Sequence, residues 1–251
     1  MILLENVTRS FGRKVAVADL SLEVRPGELF AFLGPNGAGK TTTIRMLVGL
    51  LRPDSGRIRV CGHDTLTQTR EATRFIGYVP DDPYLYEKLS GREFLQFVAE
   101  MRGMGRPQTN DAIAWAVEQF GLADFLDELI ESYSHGMRQR LVFGSALLHD
   151  PPVFIVDEPM VGLDPKCVRL IKDLLRARAA AGKTVFMSTH TLNIAEEIAD
   201  RVGIIDRGRL NFLGTLSELS LKERSLEHLF LELTSRDDHR GEPAKAAGRA
   251  E

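Results

Sequence analysis

"GPNGAGKT", residues 34–41, follows the apolar run LFAFL (29–33) and precedes TTIRMLVGL (42–50). It satisfies G-x-x-x-x-G-K-[ST], and its flanks predict a strand, a tight loop and a helix. Gly34, Gly37 and Gly39 free the loop of Pro35, Asn36 and Ala38 to turn backbone N–H groups inward around phosphate oxygens. The N-terminus of the following helix favours the same anion. In such a loop Lys40 reaches the β- and γ-phosphates, Thr41 places a hydroxyl on Mg²⁺ and Thr42 assists. Strand, phosphate loop and helix in this order predict an α/β fold.

The rest of the chain agrees. Short β-rich runs recur at Ile2 to Val7, Leu29 to Leu33, Ile58 to Val60, Val153 to Val156, Val185 to Met187 and Val202 to Ile205. Several are nearly continuous apolar stretches, as expected of strands buried on both faces of a mostly parallel sheet. Helices over Lys40 to Leu50 and Pro165 to Ala181 fit between them. From about Ser90 to His149 strand signals vanish and apolar residues fall at helical spacing, as in Phe94, Phe97, Val98 and Met101. This predicts a helical subdomain inserted into the sheet domain. Near the end Leu226, Leu229, Phe230 and Leu233 mark one apolar helix face, expected to pack on its own domain. The last residues, 236–251, lack aromatic and branched aliphatic side chains and read as a disordered tail.

Composition narrows the partners. The chain has 251 residues, 43% hydrophobic and 27% charged, with a net charge of -3, so no overall basic field invites nucleic acid. Two cysteines, Cys61 and Cys167, lie far apart with no Cys/His cluster, which argues against structural zinc and for a reducing compartment. No stretch approaches the roughly 18 apolar residues of a spanning helix, so any membrane role is expected to run through a partner.

Two acidic pairs demand explanation. VFIVDEP (153–159) is an apolar strand finishing in Asp157 and Glu158, which hydrophobic logic does not ask for. Beside a phosphate loop, Asp157 would enter the Mg²⁺ shell and Glu158 would orient and deprotonate the attacking water. GYVPDDPYLYE (77–87) carries Asp81 and Asp82 between prolines, which is also ordinary turn chemistry.

Three further segments decide between readings: YSHGMRQR (133–140), MVGLDP (160–165) and STH (188–190). In this order, with the phosphate loop, they resemble the nucleotide-binding subunit of an ATP-binding cassette (ABC) transporter over roughly residues 1–235. The resemblance implies a P-loop core with an N-terminal antiparallel β subdomain, the core spanning about 1–88 and 150–220 and the helical subdomain about 89–149. It makes Phe11 the aromatic that stacks on adenine, keeping the π-face without a tyrosine hydroxyl. It gives ATP and Mg²⁺ as ligands, His190 as a γ-phosphate contact, and Asp164 as a link across a dimer. The signature segment has Tyr133, His135 and Met137 in place of the family's leucine, glycine and glutamine, but keeps Ser134 and Gly136. Those two supply a hydroxyl and an open backbone N–H to the γ-phosphate on a second subunit.

Asp81 stands where the family usually has glutamine. It serves either as a metal-shell oxygen, directly or through water, or as part of the relay to the membrane partner. The expected partners are separately encoded membrane-spanning permease subunits and a second copy or a homologous ATPase, which places the chain peripherally on the cytoplasmic face of the membrane. The ending SLEHLFLELT (225–234) resembles that of bacterial export ATPases. No Asn-Lys-x-Asp speaks for a GTPase, while a non-transport ATPase of the same family is the alternative.

Overall fold

The computed structural model describes residues 1–221 and 225–234, so the tail expected over 236–251 lies outside the described residues. Two sheets carry the fold. The strands are β1 (Ile2–Phe11), β2 (Lys14–Val24), β3 (Leu29–Leu33), β4 (Ser55–Val60), β5 (His63–Asp64), β6 (Ile76–Val79), β7 (Val153–Asp157), β8 (Thr184–Thr189), β9 (Arg201–Asp206) and β10 (Arg209–Thr215). One sheet has the order β2-β1-β4-β5 and is antiparallel throughout; the other has the order β10-β9-β3-β8-β7-β6. In the second, β9, β3, β8, β7 and β6 run parallel and β10 closes the edge antiparallel.

The apolar runs are continuous because both faces of the parallel strands are covered. Along β3, Leu29, Ala31 and Leu33 enter one core, while Phe30 and Phe32 enter another. Each of those two phenylalanines lies 5.5 Å from the Phe186 ring on β8. The second core fills the space between the two sheets and around α1 (Lys40–Leu47). Helix α1 stops three residues short of the expected Leu50, because Gly49 turns to φ 75° and the N–H groups of Leu50 and Leu51 both fold back to the Arg45 carbonyl.

The remaining helices are α2 (Thr69–Arg74), α3 (Gly91–Met101), α4 (Arg106–Phe120), α5 (His135–Leu147), α6 (Pro165–Ala180), α7 (Leu192–Ile198), α8 (Leu216–Leu221) and α9 (Leu226–Thr234). Ser90 opens α3 with a capping box: its Oγ accepts from Glu93 N–H and the Glu93 carboxylate accepts from Ser90 N–H. Between Ser90 and His149 no named strand occurs, as the spacing predicts. These helices do not build a core of their own. Phe94, Phe120 and Phe143 share one apolar cluster with the sheet, and the Phe143 and Phe154 rings lie 5.9 Å apart. Helix α9 buries Leu226 and Leu229 on that cluster, with Phe230 and Leu233 half-buried beside them.

Strand order sets the site. Ligands of open parallel sheets gather at the carboxyl ends of the strands. Here the ends of β3, β8, β7 and β6 lie side by side and carry, in that order, the phosphate loop, His190, Asp157 with Glu158, and the Pro80–Asp81 turn.

Candidate active site

The phosphate loop is fixed by its neighbours. A Cβ on Gly34 would lie 2.4 Å from the Ile205 carbonyl, and one on Gly39 would lie 2.4 Å from the Ala16 carbonyl. Gly39 also has φ 114°, which side-chain-bearing residues rarely adopt. Two strands from different sheets thus press the loop into shape. Lys40, buried at the first position of α1, donates to the carbonyls of Gly34 (2.7 Å) and Pro35 (3.3 Å). Its ammonium also lies 3.4 Å from Glu158 Oε1.

The carboxylates are held from β8. Ser188 Oγ donates to Asp157 Oδ1, and Glu158 N–H donates to Ser188 O (3.1 Å) and Oγ (3.3 Å). One serine therefore orders both acids, as the β7–β8 register of Asp157 against Ser188 dictates. Glu158 takes φ 48°, a left-handed conformation costing on the order of 1 kcal/mol in a residue with a side chain. Its Oε2 accepts from His190 N–H (3.3 Å) and lies 3.0 Å from His190 Nδ1. Glu158 thus sits between a lysine and a histidine.

Asp157 fits a cation. It is 1% exposed, and its Oδ2 has no hydrogen-bond partner among the described residues. Burial pushes its carboxyl above the usual range, the Asp81 and Glu158 charges add to this, and the Ser188 and Thr41 hydroxyls oppose it. An orphaned, desolvated carboxylate oxygen beside a threonine hydroxyl suits Mg²⁺, which takes one or two carboxylates and completes its shell from phosphates and water. Among the described residues no three His, Cys, Asp or Glu side chains form a metal cage of their own. Tyr78, on β6, is pushed up to about 12 by burial and by the Asp157 charge, and stays protonated.

An open cleft of about 260 Å³ lies over the phosphate loop and Glu158, and neither Asp157 nor His190 lines it. Loop residues, Thr41, Thr42 and Glu158 line it, together with Phe11 and Asp81. Asp82 does not line it, so the two aspartates that are adjacent in sequence are separated in function by one step along the turn. Lys14 and Ala16 also line the cleft, a position that no local sequence signal announces. Both belong to β2, which the hairpin at Gly12 returns to Phe11.

Ser134 and Gly136 do not line this cleft. Ser134 caps α5, its Oγ accepting from Met137 N–H (3.3 Å), and a Cβ on Gly136 would meet nothing within 4 Å. Tyr133, in place of leucine, turns away: it is buried, its hydroxyl donates to the Phe125 carbonyl (2.6 Å), and a Cβ on Gly91 would lie 2.4 Å from that hydroxyl. His135 stands beside the loop that follows Glu158, 3.3 Å from where a Cβ on Gly162 would be. Asp164, expected to act across a dimer, caps α6 within this chain by accepting from Lys166 and Cys167 N–H, which holds its carboxyl below the usual range. His149 lies away from the cleft, and burial lowers its pKa to about 4.

A phosphate loop, a buried metal-type aspartate and a held glutamate at the ends of parallel strands define a P-loop nucleoside triphosphatase. The sequence model described as ABC transporter matches residues 17–161, more than half of the chain. The Nod factor export ATP-binding protein I of Paraburkholderia xenovorans (strain LB400) is 40% identical over 219 residues, covering 87% of this chain and 72% of that protein. A solved structure of the ATP binding subunit of an ABC transporter superposes with a TM-score of 0.87 at 30% identity, covering 93% of this chain and 99% of that one. The dimeric post-hydrolysis state of the ATP-binding cassette MJ0796, bound to ADP and Pi, gives a TM-score of 0.75 at 25% identity, covering 86% and 99%. The chain belongs to the ABC transporter family. It is an ATP-binding subunit and an ATPase.

Proposed function

We propose that this subunit powers an exporter as half of a head-to-tail pair, with a second copy or a homologous ATPase, from the cytoplasmic face of the membrane. Residues 1–235 act as one nucleotide-binding domain. The carrying observation is an incompleteness: the phosphate loop, Glu158 and Asp81 line one cleft, while the open helix start at Ser134 and Gly136 lines none of it. A second chain, reversed, supplies that helix start to the γ-phosphate.

In the closed pair the loop N–H groups and Lys40 bind the triphosphate, and Phe11 stacks on adenine. Thr41 and Asp157, with Asp81 directly or through water, would hold Mg²⁺. That ion, when bound, neutralises charge on the β- and γ-oxygens. Glu158 takes the proton of the attacking water, and the nearby His190 keeps its carboxylate aimed while contacting the γ-phosphate. Loss of the γ-phosphate removes the anion that both chains grip, and the pair reopens.

A surface for the membrane partner lies next to the cleft. Tyr84 is 85% exposed and Met101 73%, with the Tyr86 and Phe97 rings 5.4 Å apart beside them. Such an apolar patch on a soluble domain supports a covered interface. It begins two residues after Asp82, where the Pro80–Pro83 turn leaves the site. Export follows from the export subunit among the relatives and from the α9 ending.

Glu158→Gln tests the assignment. Hydrolysis should fall by about 10²–10⁴-fold while ATP drives a stable dimer, measured by light scattering on size-exclusion chromatography. Hydrolysis near the wild-type rate, or a monomer at saturating ATP, would contradict the proposal.

A further inference from the structure

Phe11 does not stand alone. The Arg9 guanidinium carbon lies 4.9 Å from the centre of its ring. Arg9 is itself clamped: Nη1 donates to Asp54 Oδ1 at 2.6 Å, and the other oxygen of that carboxylate accepts from Ser10 N–H at 2.7 Å. Asp54 N–H in turn donates to the Thr8 carbonyl at 2.8 Å. Phe11 lines the nucleotide cleft, and Arg9, over the same ring, does not. Holding the guanidinium there leaves its Nε buried and without a hydrogen bond among the described residues.

From this geometry we propose that Arg9 is a positioning residue for the nucleotide base, backing Phe11 so that guanidinium, ring and adenine form a three-layer stack. The inference rests on the reading of Phe11 as the base-stacking residue. Two physical effects act together. The cation draws the ring's π-density towards itself and leaves the opposite face better suited to an electron-rich purine. The Asp54 clamp also fixes the ring before the base arrives, so less side-chain freedom is lost on binding. Arg9 thereby does by charge what the missing tyrosine hydroxyl cannot do by hydrogen bonding. Asp54, 45 residues away on the approach to β4, becomes part of the base site through Arg9.

The test separates base from phosphate with ligands that are not turned over: MgADP and Mg-pyrophosphate, titrated calorimetrically against the full chain. Arg9→Gln should weaken ADP about two- to fivefold, the range of an exposed cation–π contact, and leave pyrophosphate unchanged. Asp54→Asn, which keeps Arg9 but loosens it, should give a smaller loss in the same direction. In a Phe11→Ala background Arg9→Gln should add nothing. Equal losses for ADP and pyrophosphate would make Arg9 a phosphate-attracting charge, and unchanged ADP affinity would make it a bystander; either result overturns the proposal. If Phe11→Ala alone leaves ADP affinity intact, the base-stacking reading of Phe11 fails instead.

Discussion

The phosphate loop and the signature helix are both glycine-bearing helix starts, yet the fold treats them oppositely. Around Gly39 the chain closes in: the Ala16 carbonyl, the Ile205 side chain and a left-handed backbone leave no room for a methyl group. Around Gly136 it leaves open space. Steric demand inside one chain explains the first glycine and says nothing about the second. In the head-to-tail pair proposed above, the demand on Gly136 comes from outside the chain, from a second subunit's triphosphate.

Gly39→Ala should show the largest effect, because it combines a 2.4 Å clash with φ 114°. We expect a loss of roughly 3 kcal/mol in stability by chemical denaturation, and no measurable nucleotide binding in the folded fraction. Gly136→Ala should separate the two properties. The helix gains up to about 1 kcal/mol of propensity, while ATP hydrolysis falls roughly tenfold as a backbone N–H loses its approach to charge. A variant with reduced stability would show that Gly136 answers to its own chain after all. Asp81→Gln should be the mildest, with hydrolysis unchanged or raised, because an amide oxygen reaches the same cleft edge without the charge that burdens Asp157. A loss beyond about tenfold would make the carboxylate itself part of the metal shell.

The same contrast marks what could be read from sequence. The loop was legible because each of its residues answers to a local demand, and the strand Leu29–Leu33 appears within the expected bounds. Asp157 and Glu158 were legible as a violation, two acids ending a strand whose residues are all buried. Other features depend on pairing across long separations. That Ser188 holds both acids follows from the β7–β8 register, and that Asp81 reaches the cleft follows from β6 lying beside β7 with Val79 opposite Val156. Lys14 comes to the nucleotide cleft through a hairpin, and Arg9 is held over the Phe11 ring by a distant aspartate; neither carries a local signal. The strands β2 and β10 escaped the apolar runs because their faces alternate between core and solvent. The helical segment was recognised by its spacing, but its shared core with the sheet was not, since spacing reports a buried face and not what buries it.

The central claim, that one chain holds half of each site, is most directly tested by mixing two inactive variants, Lys40→Ala and Ser134→Arg, and measuring ATP hydrolysis. Each alone should be inactive as a homodimer. If sites are shared head to tail, random pairing restores one intact site in each mixed dimer and about a quarter of the wild-type rate. A Ser134→Arg protein as active as wild type, or a mixture that forms mixed dimers and stays inactive, would contradict the account.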